Sequence, residues 1–307
     1  IKISEIKLPL DSDEKELRTA AAKALRCKEE RITSLRIAKK AVDSRKKDNV
    51  FFVYNVYAEV DSDEAAIIAH SRNSKVEAYT EYKYVMPPVR RKSTLRPVIA
   101  GFGPAGFFAA LTLARAGLRP IVIERGADVD TRTQKVNVFW TQRKLDTESN
   151  VQFGEGGAGT FSDGKLTTGI KDPLCRKVVD ELIAHGAPEE IGYSSRPHIG
   201  TDRLGAVVKA FREEIIALGG EVRFNCRLTD IIIANGVVQG VTCVHDGSAE
   251  DIETDTLLLC IGHSARDTVK MLYDKGADII QKPFSVGVRI EHPRELIDKA
   301  QYGSFAG

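Results

Sequence analysis

At 307 residues and 33.7 kDa, with 42% hydrophobic and 29% charged residues and a mean hydropathy of -0.21, the chain has room for two domains or one large domain with an appendage, and no apolar run approaches the ~20 residues of a membrane span. The formal net charge of +2 is too near balance to select a polyanionic partner, although residues 1–92 carry 20 Lys and Arg against 15 Asp and Glu while residues 93–307 carry 25 against 28. Five cysteines, odd in number, widely spaced and without a CxxC pair, indicate neither a disulfide framework nor a cysteine zinc site, and fit a reducing cytoplasm.

Ile1, Ile3, Ile6 and Leu8 alternate with polar residues and predict a strand, unlike the basic-then-apolar order of a signal peptide. No Met opens the chain, which fits a trimmed start. Asp11 or Ser12 is placed to cap a helix over 14–25, rich in Ala, Leu, Lys and Glu. Extended runs over 32–42 and 49–60 flank Ser44-Arg45-Lys46-Lys47-Asp48, the solvated polar tip of a long hairpin. Asp61 or Ser62 then caps a short helix ending at Ala69, and Lys75 to Tyr84 supplies a last strand. The resulting βαββαβ order over residues 1–85 is that of a ferredoxin-like α+β domain. Two prolines and the cations Arg90, Arg91 and Lys92 mark residues 86–95 as a linker.

A short apolar strand, Arg96 to Ala100, runs directly into Gly101-Phe102-Gly103-Pro104-Ala105-Gly106 and a helix over 104–116 that ends at Gly117. A second strand, Arg119 to Glu124, finishes in an acid 23 residues after the first glycine. A lone GxGxxG string is weak, but in this strand–helix–strand context it reads as a dinucleotide fingerprint. Gly101 permits the tight turn, Gly103 lets backbone approach a pyrophosphate, and Gly106 lets helix pack on strand. The helix N-terminus favours the diphosphate, and Glu124 is expected to accept hydrogen bonds from a ribose diol. A carboxylate there repels a 2′-phosphate, so FAD or NAD is expected rather than NADP.

After Arg125 and Gly126 the chain makes a long excursion with a second glycine-rich run from Gly154 to Lys165, which includes Asp163. Glycines at 154, 156, 157, 159 and 164 must bring backbone against something, and an isoalloxazine-ribityl unit is the candidate. Thr201 or Asp202 caps a helix whose core stripe is Leu204, Val207, Val208, Phe211, Ile215 and Leu218. Glu221 to Phe224 is a strand, 228–234 and 237–244 form a hairpin across Asn235-Gly236, Asp251 to Thr254 adds a third strand, and Thr256 to Gly262 reads as a buried parallel strand. This predicts a β-meander attached to a Rossmann-like α/β sheet over residues 96–282.

In that order of elements the chain resembles the glutathione-reductase-like FAD-binding superfamily. More narrowly, Ser149-Asn150-Val151-Gln152-Phe153 with the glycine run, and Pro197-His198-Ile199-Gly200-Thr201-Asp202, are similar to the bacterial uncharacterised FAD-dependent dehydrogenase family, which also carries a ferredoxin-like N-terminal domain. The resemblance implies that Gly101, Gly103, Pro104, Ala105 and Gly106 line the pyrophosphate, that Glu124 holds the adenosine ribose with Arg125 beside it, and that Leu228 contacts adenine through its backbone. It further places Gly262 near the diphosphate and Gly156, Gly157, Ser162 and Lys165 near the flavin. The Gly-Asp strand end that the superfamily uses for ribitol is missing, and residues 283–307 resemble the start of a substrate domain, so the chain reads as the N-terminal part of a longer protein whose missing half-site would hold the flavin.

Flavin carries redox chemistry and the protein tunes it, which makes Lys165, a cation expected near the N1/C2 carbonyl edge, the candidate catalytic residue. His198 reads as a structural imidazole, and His263 and Ser264 as caps of a helix over 266–272. No metal ligand set or hydrolase motif stands out. The expected function is an FAD-dependent oxidoreductase, a dehydrogenase or reductase, acting on a small organic substrate. With one dinucleotide fingerprint, electrons are expected from transiently docking NAD(P)H, an electron carrier or the substrate. The alternative is a flavin-dependent RNA-modifying or RNA-binding protein using the basic N-terminal domain and its aromatics Phe51, Phe52, Tyr54, Tyr57, Tyr79, Tyr82 and Tyr84. Neither nucleic acid nor a membrane is the expected partner of the leading reading.

Overall fold

A computed structural model describes residues 1–90, 92–162 and 164–306, so the readings made above at Arg91, Asp163 and Gly307 lie outside the described residues. The first 77 residues build an antiparallel sheet of four strands, β1 (Lys2–Leu8), β2 (Ile32–Asp43), β3 (Phe51–Val60) and β4 (Val76–Glu77), in the order β2-β3-β1-β4. Two helices, α1 (Glu14–Leu25) and α2 (Glu64–Ser71), cover it. Ile3, Val56 and Ala58 from the sheet meet Leu17, Ala21 and Leu25 from α1 and Ile67 from α2 in one buried cluster. This follows from alternate positions on a strand and every third or fourth position on a helix facing the same way.

Three details differ from the sequence reading. The cap of α1 is Asp13, not Asp11 or Ser12, because only Asp13 has a reciprocal partner. Its carboxylate accepts the Glu16 amide at 2.9 Å while Glu16 Oε2 accepts the Asp13 amide at 3.2 Å. Asp63, not Asp61 or Ser62, caps α2 by accepting the Ala65 amide at 2.9 Å. The strand expected over 75–84 shrinks to two residues, since β1 offers a straight edge only at Lys2 and Ile3 before Glu5 turns it with a φ of 61°. Tyr79 instead stacks on Tyr57 with ring centroids 3.8 Å apart.

The remaining strands form two further sheets. Strands β5 (Val98–Ala100), β6 (Ile121–Ile123), β7 (Glu221–Arg223) and β11 (Leu257–Leu259) lie parallel in the order β11-β5-β6-β7. Strands β8 (Cys226–Ala234), β9 (Val237–His245) and β10 (Ser248–Glu253) form an antiparallel meander. The pleat divides the apolar run between two cores. Ile99 and Val122 face α3 (Pro104–Arg115) and α6 (Thr201–Ala217), whereas Val98, Ala100, Ile121 and Ile123 face the meander's Leu228, Val241 and Cys243. A short parallel strand covered on both faces is therefore apolar at every position.

The Asn235-Gly236 turn joins β8 to β9 as expected, with φ of 53° and 75°. A second such turn, Asp246-Gly247 with φ of 46° and 85°, joins β9 to β10 and lets β10 start at Ser248, ahead of the predicted third strand. Neither Thr201 nor Asp202 caps α6; its N-cap is Gly200, without a side-chain cap. The long excursion holds two helices that the sequence reading left out, α4 (Val129–Gln142) and α5 (Leu174–Ala184). Helices α7 (Arg266–Asp274) and α8 (Arg294–Tyr302) follow β11, and between them Phe284, Val286, Val288 and Ile290 are exposed. Among the described residues no helix is long and apolar enough to cross a membrane.

The outer edge of β2 is extended by a distant backbone segment. The Lys40 amide donates to Tyr193 O at 2.7 Å and the Ser195 amide to Lys40 O at 2.9 Å, so the segment leading to His198 adds to the first sheet.

Candidate functional site

A cleft of about 520 Å³ opens at the C-terminal ends of β5 and β11. That end of a parallel sheet, where helix N-termini converge, is where α/β folds place ligands. Gly101, Gly103, Pro104 and Ala105 form one wall, Glu124 and Arg125 a second, Leu228 a third, and Gly157 and Gly262 the rims, so nine of the residues singled out in the sequence meet in one place.

The three glycines of the first turn have different jobs. A Cβ on Gly101, whose φ is +99°, would sit 2.4 Å from Cys260 O, and one on Gly106 would sit 1.9 Å from Gly101 O. Both positions are fixed by strand and helix packing. A Cβ on Gly103 would meet nothing nearer than Gly157 Cα at 3.6 Å, an ordinary contact. The protein itself thus has no steric need for glycine at 103, and the bare backbone there serves the space of the cleft. No side chain caps α3, which leaves the amides of its first turn available to a ligand.

Glu124 does more than face the cleft. Its side chain is 5% exposed, Oε2 accepts the Phe102 amide at 2.8 Å, and Oε1 accepts the amides of Gly126 and Gly154, both at 2.9 Å. The expected ribose acceptor is therefore also the clamp that joins the two glycine-rich segments. With one bond made, Oε2 retains a second acceptor position. Arg125 is fixed by a two-pronged contact to Asp267 at 2.9 Å and by Glu148 at 3.0 Å, with its guanidinium over the Phe153 ring.

Sequence reasoning missed Arg132, which holds the second glycine run. Fully buried on α4, it donates to the carbonyl oxygens of Asn150 at 2.8 Å, Glu155 at 2.6 Å and Gly154 at 3.3 Å. Burial pulls its pKa down to about 10. The neighbouring Glu155, also fully buried, accepts the Val129 amide at 2.7 Å and pairs with Arg212 at 3.2 Å, while burial pushes its pKa up. An arginine 22 residues upstream of a glycine loop carries no local sequence signal; only the fold brings it there.

Other expected site residues lie elsewhere. Gly106 and Gly156 pack inside the protein, Gly156 against Thr160 and Val208. Ser162 and Lys165 are exposed and do not line the cleft; Ser162 Oγ bonds Gly159 O and the Lys165 backbone bridges to His198. His263 and Ser264 line the cleft instead of capping α7, whose N-cap is Ala265. Of the N-terminal aromatics, Tyr54 is buried and Phe52 packs on the same core.

A second polar cluster, on the helical face, joins α3, α5 and α6. Arg115 reaches Glu181 at 2.5 Å and Glu214 at 2.7 Å, and His185 bonds Glu214 at 2.9 Å while stacking on Phe211.

Residues 1–59 match a family model described as a domain of unknown function (DUF8436). An uncharacterized protein of Clostridium beijerinckii is 48% identical over 306 residues, 99% of this chain and 56% of that protein, so the chain spans little more than half the length of this relative. Among solved structures it is similar to THI4 of Thermovibrio ammonificans (17% identity, 59% of this chain and 62% of that one, TM-score 0.40). It is also similar to the OxyS anhydrotetracycline hydroxylase of Streptomyces rimosus (22%, 58% and 33%, TM-score 0.33). A third is the myxobacterial chondrochloren halogenase CndH, described as a variant of FAD-dependent halogenases (13%, 56% and 38%, TM-score 0.36).

Proposed function

We propose that this chain is the dinucleotide-binding portion of an FAD-dependent oxidoreductase acting on a small organic substrate. In this reading residues 1–85 are a ferredoxin-like domain, 96–282 a Rossmann-like FAD-binding domain with its meander, and 283–307 the opening of a substrate domain. The observation that carries it is the cradle at Gly103. A glycine that neither backbone conformation nor packing demands sits against an uncapped helix N-terminus, opposite a carboxylate with a free acceptor position. A diphosphate with an adenosine ribose beside it suits that combination.

Bound FAD supplies the redox chemistry. The chain's own residues bind and orient it. The amides at Gly103 and Ala105 receive the diphosphate, and Glu124 receives a ribose hydroxyl while repelling a 2′-phosphate. The Leu228 backbone faces adenine, and Gly262 leaves the far rim open. Lys165, exposed beyond the cleft-lining Gly159, is in this reading the residue that tunes the flavin. Transient NAD(P)H or a carrier protein provides the electron route.

Denaturing the purified protein is expected to release FAD rather than FMN or NAD. Gly103→Val should lose the cofactor while its unfolding midpoint stays within a few degrees. Undiminished FAD in that variant would refute the assignment.

A further inference from the structure

Away from the cleft's glycine walls, the meander gathers four residues that the sequence scatters. Cys226 on β8 lies opposite His245 on β9, and Cys243, two residues before His245, lies opposite Glu250 on β10. Residues two apart on a strand share a face, so all four side chains stand on one side of the meander. The sulfurs of Cys226 and Cys243 and a Glu250 oxygen all lie within 4.8 Å of one another. Cys243 Sγ is 3.6 Å from Glu250 Oε1. Zinc bonds of ~2.3 Å to sulfur and ~2.1 Å to oxygen at tetrahedral angles give an S···O edge of about 3.6 Å, the same length.

The surroundings suit a cation as well. His245 Nδ1 is 3.3 Å from Glu250 Oε1 but lies outside the mutual grouping of the other three ligand atoms, so it reaches the same cation only by a turn of its side chain; its other ring nitrogen is at ion-pair distance, 3.6 Å, from an Asp246 carboxylate oxygen. Arg223 also reaches Glu250, at 3.2 Å. Two thiolates and one carboxylate carry three negative charges; a divalent cation offsets two of them, and Arg223, which also pairs with Glu221 at 2.6 Å, offsets part of the third. Glu250 and His245 are over a third exposed and provide the way in, whereas both cysteines are buried.

We propose that Cys226, Cys243, Glu250 and His245 bind one soft divalent cation of the zinc class, which staples the three meander strands together. Cys226 also lines the cleft and its amide donates to Glu124 O at 2.9 Å, so the staple fixes the strand that carries Leu228. Binding releases the two thiol protons to solvent.

The test is a Co²⁺ titration of the tag-free, reduced and chelator-stripped 307-residue chain, followed by Zn²⁺. One Co²⁺ per chain with thiolate-to-metal charge-transfer absorption, displaced by one Zn²⁺, is expected. Cys243→Ser should cut the charge-transfer band to half or less, since Cys226 alone remains as a thiolate ligand. Glu250→Gln and Asp246→Asn, at accessible positions that spare the core, should each weaken Co²⁺ binding by roughly 10–100-fold. Absence of the band in the unaltered chain, unchanged affinity in both accessible-site variants, or a Cys226–Cys243 disulfide forming in air despite stoichiometric Zn²⁺ would each overturn the proposal.

Discussion

Glu124 Oε1 accepts the Gly154 amide at 2.9 Å, which ties the end of β6 to a glycine-rich segment 30 residues downstream. Because the same carboxylate also holds Phe102 and Gly126, one side chain sets the spacing of both walls of the cleft. Glu124→Gln replaces one carboxylate oxygen with an NH2 donor; with the remaining oxygen at the Oε1 position, the buried Phe102 amide loses its acceptor and faces a second donor. A loss of roughly 2–4 kcal/mol is expected, read as a lower urea midpoint with little change in slope. FAD retention should fall at the same time, since the wall moves.

The glycine series separates folding from binding. Gly101→Ala and Gly106→Ala drive a Cβ to within 2.4 and 1.9 Å of backbone oxygens, so both should unfold or accumulate as insoluble protein. Gly103→Ala should fold with a midpoint close to the parent. Circular dichroism and thermal melts of the three purified variants distinguish these outcomes, and a stable Gly106→Ala protein would contradict the packing described.

Arg132 acts as the internal brace of the second glycine run, and its planar fork spans three carbonyl groups. Arg132→Ala should cost about 3–5 kcal/mol, because it removes these bonds and opens a cavity. Amide exchange at Gly154, Glu155 and Gly156 should accelerate more than exchange in β1 or β3. Arg132→Lys should not restore protection, since one ammonium reaches fewer of the oxygens.

Several carboxylates are held below their ordinary pKa by arginine partners, Glu214 by Arg115, Glu221 by Arg223 and Asp267 by Arg125. The unfolded chain then takes up protons first as the pH falls. The stabilisation is present above the unfolded values of about 3.9 for Asp and 4.3 for Glu, and is lost as pH drops through the lower folded ones. Arg115→Met should lower the melting midpoint by roughly 5 °C or more at pH 7. The gap between variant and parent should narrow below about pH 4. A gap of constant size from pH 7 to 3 would rule out this origin.

If Lys165 faces the flavin in the assembled enzyme, Lys165→Met should lower the flavin potential by about 30 mV, equivalent to about 1.4 kcal/mol for two electrons. FAD content should be unchanged, because this side chain stands outside the cleft proposed for the adenosine half. Spectroelectrochemistry of the two proteins decides it.

The sequence by itself determined what depends on neighbours in the chain. The helix over 14–25, the Asn235-Gly236 turn, the helix starting at Pro104 and the acid ending β6 are local matters of propensity, turn chemistry and strand–helix spacing, and all are present. Tertiary structure decided whatever depends on distant partners. It divided the apolar residues of β5 and β6 between two cores, shortened β4 because β1 is kinked at Glu5, and gave Glu124 three amides to hold. It also placed Arg132 beneath a loop and brought Cys226, Cys243 and Glu250 together across two tight turns. The physical reason is common to these cases: a buried polar group takes whichever partner the fold brings within about 3 Å, and chain spacing does not record that distance.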